Sequence, residues 1–499
     1  MLNVFEYLEQ SAARSPGKLA FADSSRSLSF SELLAEAGRV GRFIAERTGI
    51  RKPVAVLTDR NVDSLAAFMG ALAAGCFYVP LDAQMPPKRL GSILSRLGAE
   101  VVIDCAGGKA KVEGAVPFSE AVSGEADWSV LDDRRSRVLD IDPVYVIFTS
   151  GSTGEPKGIV CHHRGVMDIV DWLAEAGGFT EDDVLGGQAP FYFDLSVKDI
   201  YLTLKCGASC HILDRRLFMF PPLLVKELAA KEVTALVWAT SAFHLTANSG
   251  ALEGAELPKL RTVILGGEAL RAKQMNIWRA ALPHVRYVNL YGPTEVTVDC
   301  TWYPIEREFA DGESIPIGKA CRNMEVFLLG EDLKPVPDGE PGEICVRGTG
   351  LAHGYFGDPV KTAECFIPDP RPCAWPDRIY RTGDLARVDE HGDLVFLSRR
   401  DGQIKHMGYR IELGELENAL SSIEGVKAAV SFFDAARDKI VCVYEGEAEA
   451  DAIGRELRDW LPKYMLPNVY RRLGRLPYNA NGKVDRVRLR DEYFNGQDS

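Results

Sequence analysis

Over the first 300 positions, apolar residues recur in two alternating periods. Leu33, Ala37, Val40 and Ile44 fall on one face of a helix, and Ser29 with Glu32 has the spacing of a capping box at its start. Short apolar runs of strand length come next, at 54–57, 77–80 and 101–103, with helical stretches at 61–74 and 89–97. Gly75 stands at the helix C-cap that precedes the second of these runs. The same alternation predicts strands at 145–148, 262–265 and 285–290, and a helix beginning within 193–200. Strands alternating with helices imply α/β layers with a largely parallel sheet. From about 315 the helical period fades, and strands at 326–329, 343–346 and 394–396 are separated by turns such as PVPDGEPGE. Beyond 413 a compact α+β segment is predicted: a helix to 420, strands near 426–432 and 440–444, and a helix over 452–461.

The expected fold class is therefore α/β, with a β-rich subdomain and a small α+β domain after it. The domains are expected at 1–400 and 401–499.

Composition narrows the classes of function. A chain of 499 residues exceeds one hydrophobic core. Its net charge of −13 and lack of a basic tract argue against a nucleic-acid or membrane partner. The eleven cysteines show no metal-binding spacing and read as reduced thiols. With no signal pattern and no spanning apolar run, a cytoplasmic protein is expected.

The densest chemistry lies in 145–160, YVIFTSGSTGEPKGIV. A strand leads into Thr149, Ser150, Gly151, Ser152, Thr153, Gly154, Pro156 and Lys157. Hydroxyls, one ammonium and glycines that admit close backbone approach suit a polyphosphate. The order Lys157-Gly158 departs from the P-loop of nucleotide triphosphatases, which ends in Gly-Lys-Ser/Thr. Further polar stretches follow strands or open helices: Asp194 in FDLS, Gly266-Gly267-Glu268, and YGPTE at 291–295. Ligands of open α/β sheets sit at the carboxyl ends of strands, so these stretches are expected to form one site.

The wording of these stretches resembles the adenylate-forming superfamily, which includes acyl-CoA synthetases, luciferases and the adenylation domains of peptide synthetases. The resemblance runs in order through LSFSEL, LAAGCFYVPLD, TSGSTGEPKG, FDLS, NLYGPTE, GEICVRGTGLAHGYF, YRTGDL, RRDGQIKHMGYRIELGELE, LPKYMLP and NGKVDR. It is most similar to amino-acid adenylation domains of nonribosomal peptide synthetases and to D-alanine–D-alanyl carrier protein ligases. Ser398 departs from it, standing where the family usually has Gly.

The resemblance further implies two α/β sheet subdomains, a barrel-like form for the β-rich one and mobility of the last domain. It also implies that ATP and Mg²⁺ are used. A substrate carboxylate would attack the α-phosphorus of ATP, giving an acyl-adenylate and pyrophosphate. Residues 149–157 would hold the β- and γ-phosphates, Thr294 would contact the α-phosphate, and Glu295 would bind Mg²⁺. Gly267, Glu268, Asn289, Tyr291 and Gly292 would line the nucleotide, with Tyr291 on adenine. Asp384 would hold the ribose, helped by Arg399. Lys483 would bridge the substrate carboxylate and the α-phosphate; taken alone, Asn481-Gly482-Lys483 is a turn. Rotation about a hinge at Asp401 would then exchange Lys483 for the segment around Gly408, and a thiol would attack the adenylate. NGKVDR is followed by no Gly-Gly-x-Ser attachment sequence, so the thiol is expected on a separate phosphopantetheinylated carrier protein. Arg471, Arg472, Arg475, Arg486, Arg488 and Arg490 offer a basic face for it.

Asp194 matches the acid that holds the α-ammonium in amino-acid-activating members. The pocket positions matched by motif are Leu195, Lys198, Ala242, Ile264, Gly266, Leu290, Val298 and Asp299. Lys198 and Asp299 either pair with each other, closing the floor over a small residue, or Lys198 faces an acidic or amide side chain. A small or medium polar amino acid is expected, with glutamate-like substrates ahead of alanine and serine. The rival readings are a carboxylate–CoA ligase and a non-catalytic relative that binds a carrier.

Overall fold

The computed structural model describes residues 2–151, 155–400, 403–435, 437–477 and 484–495. They form two compact units: Met1–Ala83 with Arg96–Phe148 and Gly158–Arg400, and Gln84–Ser95 with Thr149–Lys157 and Asp401–Ser499.

Within the larger unit the α/β alternation becomes two sheets. A seven-stranded sheet runs in the order Gly354–Tyr355, Lys157–His162, Pro143–Thr149, Phe77–Asp82, Pro53–Thr58, Val101–Asp104, Val116–Pro117. A nine-stranded sheet has a parallel centre, Arg286–Tyr291, Thr262–Gly266, Ala235–Ala239, Val184–Gly187 and Ser209–Ile212, and antiparallel strands towards its edges. The β-rich region is an antiparallel sheet of five strands, in which Arg378–Val388 pairs with three neighbours. The smaller unit carries the hairpin Gln403–His406/Tyr409–Glu412 and a three-stranded sheet packed on the helix Leu413–Ser421. This is the expected α/β class with an α+β C-terminal region.

Local signals account for these elements. Ser29 and Glu32 close the capping box of the helix Phe30–Ala45, and Leu33, Ala37, Val40 and Ile44 are all buried. Gly75 has φ +70°, the left-handed conformation that ends the helix Val62–Ala73. The last predicted helix, 452–461, is Ala450–Leu457 instead; turns replace its end ahead of Pro462.

One helix start makes the fold sensitive to acid. His162 caps the helix His163–Gly177, its Nδ1 accepting from Gly165 N–H at 2.9 Å, and its Nε2 lies 3.0 Å from the Leu351 carbonyl. Burial, reinforced by His353, lowers its pKa from 6.5 to about 4, and burial lowers His163 to about 3. Between these values and 6.5 the unfolded chain takes up protons that the folded chain refuses. Stability therefore falls as the pH drops through this window. His162 should contribute a loss of about 2 kcal/mol between pH 7 and 5. Urea denaturation at both pH values should show that loss, and His162→Gln should reduce it.

Candidate active site

At the end of the strand Arg286–Tyr291, the Tyr291 hydroxyl donates to Asp384 Oδ2 at 2.5 Å. Burial and the Asp384 charge hold this phenol well above its usual pKa, so it stays a neutral donor. Arg399 donates to Asp384 Oδ1 at 2.6 Å and to the Thr382 carbonyl at 3.2 Å. Asp384 and Arg399 are register partners on adjacent antiparallel strands, so sheet pairing brings them opposite each other. Thr382 Oγ1 accepts from Asp384 N–H at 3.0 Å, which fixes the carboxylate's backbone as well.

After Tyr291 the chain turns sharply. Gly292 and Pro293 lead into a single helical turn, Thr294–Val296, in which Glu295 is fully buried. Tyr355 donates to Glu295 Oε1 at 2.9 Å and so orients the carboxylate. Two β-branched residues then adopt left-handed backbone, Thr297 at φ 58° and Val298 at φ 75°. Such strain persists only where the surroundings enforce it. Here Thr297 Oγ1 donates to the Gly350 carbonyl at 2.7 Å, and Cys300 N–H to the Tyr291 carbonyl at 2.8 Å. The turn brings Asp299 back against Gly292.

Asp194 occupies the N-cap position of the helix Leu195–Cys206 but makes no capping hydrogen bond. Burial raises its pKa; the Thr294 side chain, hydrogen-bonded to it, works the other way. One turn further along, Lys198 Nζ donates to Asp299 Oδ2 at 2.5 Å. Leu195, Ala242, Ile264, Leu290 and Val298 are buried. Ile264 and Gly266 lie two apart on one strand and share a face. Gly267 has φ +97°, and Thr240 Oγ1 donates to the Gly266 carbonyl at 3.1 Å and lies 3.3 Å from that of Glu268. Asn289 uses its side-chain amide on the Pro316 carbonyl, at 2.8 Å.

The smaller unit holds the described ends of the Gly-rich loop. Ser150 Oγ donates to the Arg410 carbonyl at 2.7 Å and accepts from Glu412 N–H at 3.1 Å. Gly151 N–H donates to Glu415 Oε2 at 3.2 Å, and Lys157 Nζ lies 3.6 Å from Glu412 Oε1. Among the described residues, Thr149 Oγ1 is buried without a hydrogen-bond partner. Gly408, at φ 83°, follows Met407, at φ 54°, in the two-residue hairpin turn, which requires left-handed backbone at both. Among the C-terminal arginines, Arg472, Arg486 and Arg488 are paired with Glu449, Glu417 and Glu492. Ser152, Thr153, Gly154, Asp401 and Lys483 lie outside the described residues.

Sequence reasoning assigned no role to Tyr355, Thr382 or Thr240. Tyr355 and Thr382 stood inside quoted motifs, GEICVRGTGLAHGYF and YRTGDL, which was the available signal. Thr240 stood in none.

Two large α/β sheets, an antiparallel sheet and this set of strand-end side chains define an adenylation domain of the adenylate-forming superfamily. The chain belongs to the AMP-binding enzyme family, whose pattern matches residues 8–356. Over 98% of its length it is 35% identical to part of tyrocidine synthase 3 of Brevibacillus parabrevis, of which it spans 8%. It is 31% identical to zwittermicin A synthase ZmaJ of Bacillus cereus, across 96% of this chain and 93% of ZmaJ. The chain spans less than half the length of the first curated relatives it matches. Its fold matches holo-PA1221, an NRPS protein containing adenylation and PCP domains, with a TM-score of 0.84 and 26% identity, covering 98% of this chain and 84% of that one. Among the described residues, no helix is long and apolar enough to cross a membrane.

Proposed function

We propose that this protein activates an amino acid with ATP and transfers the aminoacyl group to the phosphopantetheine thiol of a separate carrier protein. The observation that carries this reading is Asp194. It stands at a helix start where aspartate usually caps, yet it makes no capping bond, and its half-buried carboxylate, beside the Thr294 side chain, suits an α-ammonium group. The substrate carboxylate is already ionised, so the first step needs position and charge stabilisation more than a protein base. It attacks the α-phosphorus of ATP and pyrophosphate leaves; the thiolate then attacks the acyl carbonyl and AMP leaves.

Asp384, held by Tyr291 and Arg399, suits a ribose diol, with Tyr291 beside the adenine and Gly267, Glu268, Asn289 and Gly292 in the surrounding backbone. The unpartnered Thr149 hydroxyl in the Gly-rich loop fits a phosphate ligand. With Oε1 held by Tyr355, Glu295 is suited to Mg²⁺, which commonly takes one or two carboxylates together with substrate phosphates. That ion would neutralise phosphate charge. Lys483 is assigned to adenylation, Gly408 to thiol transfer, and Asp401 to the hinge between domains 1–400 and 401–499.

ATP–pyrophosphate exchange against a panel of L- and D-amino acids, followed by loading of a phosphopantetheinylated carrier, tests the proposal. Exchange dependent on one amino acid, with transfer to the carrier, is expected. Preferential transfer to coenzyme A would instead make the protein a carboxylate–CoA ligase. Absence of exchange would leave a carrier-binding relative without chemistry.

A further inference from the structure

The contact between Lys198 and Asp299 joins side chains 101 positions apart, with relative exposures of 0% and 3%. A pair this deep recovers its desolvation only through good geometry and further hydrogen bonds. Among the described residues those further bonds are missing. Asp299 Oδ1 accepts none, and the Lys198 ammonium, with three donors, makes the single bond to Oδ2.

Both groups lie beside one point, the place of the absent Cβ of residue 266. A carbon placed where residue 266 would carry its Cβ lies 3.5 Å from Asp299 Oδ1 and 3.7 Å from Lys198 Nζ, in ordinary contact with each. Residue 266 is glycine, the last residue of its strand, and the Leu290 carbonyl oxygen lies 3.5 Å from the same point. The position therefore lies at the carboxyl end of the sheet, where a ligand is expected. Asp194, one helical turn from Lys198, feels the charges of Asp299, Lys198 and Glu295.

We infer that this position receives the end of the substrate side chain, and that the side chain is a carboxamide, as in asparagine or glutamine. The inference rests on the amino-acid-adenylating reading given above. A carboxamide presents an acceptor and a donor side by side. Its oxygen takes a Lys198 N–H while its NH₂ donates to Asp299 Oδ1, so the ion pair stays intact and no net charge is added. A carboxylate offers acceptors only, and it would set a second negative charge against Asp299 in a region that already holds Asp194 and Glu295. A cationic side chain would oppose Lys198. An aliphatic side chain would leave both buried valences unpaired, the situation that polar sites reject most strongly.

The test is ATP–pyrophosphate exchange by the full chain with asparagine, glutamine, aspartate, glutamate, serine, alanine, leucine, phenylalanine and lysine. One carboxamide is expected to exceed its acid counterpart by about tenfold or more in kcat/KM. Asp299→Asn keeps the shape, converts the free acceptor into a potential donor and removes the negative charge. It should move the ratio towards the acid by about tenfold. A wild-type preference for any other amino acid in the panel overturns the inference and leaves adenylation standing. Exchange with none of them overturns the adenylation reading and this inference with it. Should Asp299→Asn fail to fold, the wild-type ratio alone decides.

Discussion

Asp384→Ala is expected to lower stability by about 3–5 kcal/mol and to abolish measurable ATP binding. The stability effect follows from what is left behind. Arg399 has a side chain only 10% exposed, and its partner is the Asp384 carboxylate at 2.6 Å. Removing the carboxylate takes the Asp384 charge away from a buried guanidinium that keeps its bond to the Thr382 carbonyl, and breaking a buried pair from one side is costly. It also takes away an acceptor of the Tyr291 hydroxyl. Asp384→Asn keeps an acceptor in the same place and should lose less stability, yet still bind ATP weakly. Urea denaturation and calorimetric titration with ATP separate the two effects. If Asp384→Ala loses stability while its ATP affinity is unchanged, the network is structural and the ribose lies elsewhere.

What the sequence made legible follows from where its information is local. The helix Phe30–Ala45 carries its own start signal and stripe, and both are realised in the structure. Parallel strands such as Pro53–Thr58, Phe77–Asp82 and Thr262–Gly266 were readable as short apolar runs between turn residues, whereas Val184–Gly187, Ser209–Ile212 and Ala235–Ala239 were not predicted. The eleven-residue strand Arg378–Val388 was not, because RIYRTGDLARV carries arginines, glycine and aspartate and has no apolar run. The stretch 296–298 is β-branched, which favours a strand, yet it contains the end of a helical turn and two left-handed residues. Tertiary contacts to Gly350 and Tyr291 override propensity there.

The candidate site was legible to the same extent. Motif order pointed to Asp194, Glu295 and Asp384: Asp194 stands at a helix start and Glu295 just past a strand end, whereas Asp384 lies within the strand Arg378–Val388 and only its motif singled it out. Partnerships across long separations were not readable. The bond from Tyr355 to Glu295 spans 60 positions, and the sequence left two arrangements open for Lys198 and Asp299. The bond between Lys198 and Asp299 depends on the left-handed turn at Thr297 and Val298, which no local pattern announces. The basic C-terminal surface was legible only as composition: the sequence does not show that three of its six arginines are engaged by nearby glutamates.

The same turn supports the last prediction, Gly292→Ala. A methyl group at residue 292 would stand 2.4 Å from Asp299 Cα and 2.6 Å from the Val298 carbonyl oxygen. Both obstacles are backbone, so no side-chain rotation relieves them. The backbone that must yield is already strained, with Val298 at φ 75°. Overpacking of this kind costs about 1–3 kcal/mol, which should appear as a lower urea midpoint. The loss of activity should be larger. Moving the 298–299 backbone shifts Asp299 from Lys198 and disturbs the turn that carries Thr294 and Glu295. Displacements near 1 Å at such a site lower rates by about a hundredfold. Gly91→Ala is the control: nothing lies within 4 Å of its added methyl, and it sits inside the helix Pro87–Leu97. That variant should gain about 0.5–1 kcal/mol. If Gly292→Ala keeps wild-type pyrophosphate exchange, the close approach of residues 292 and 299 does not position the site.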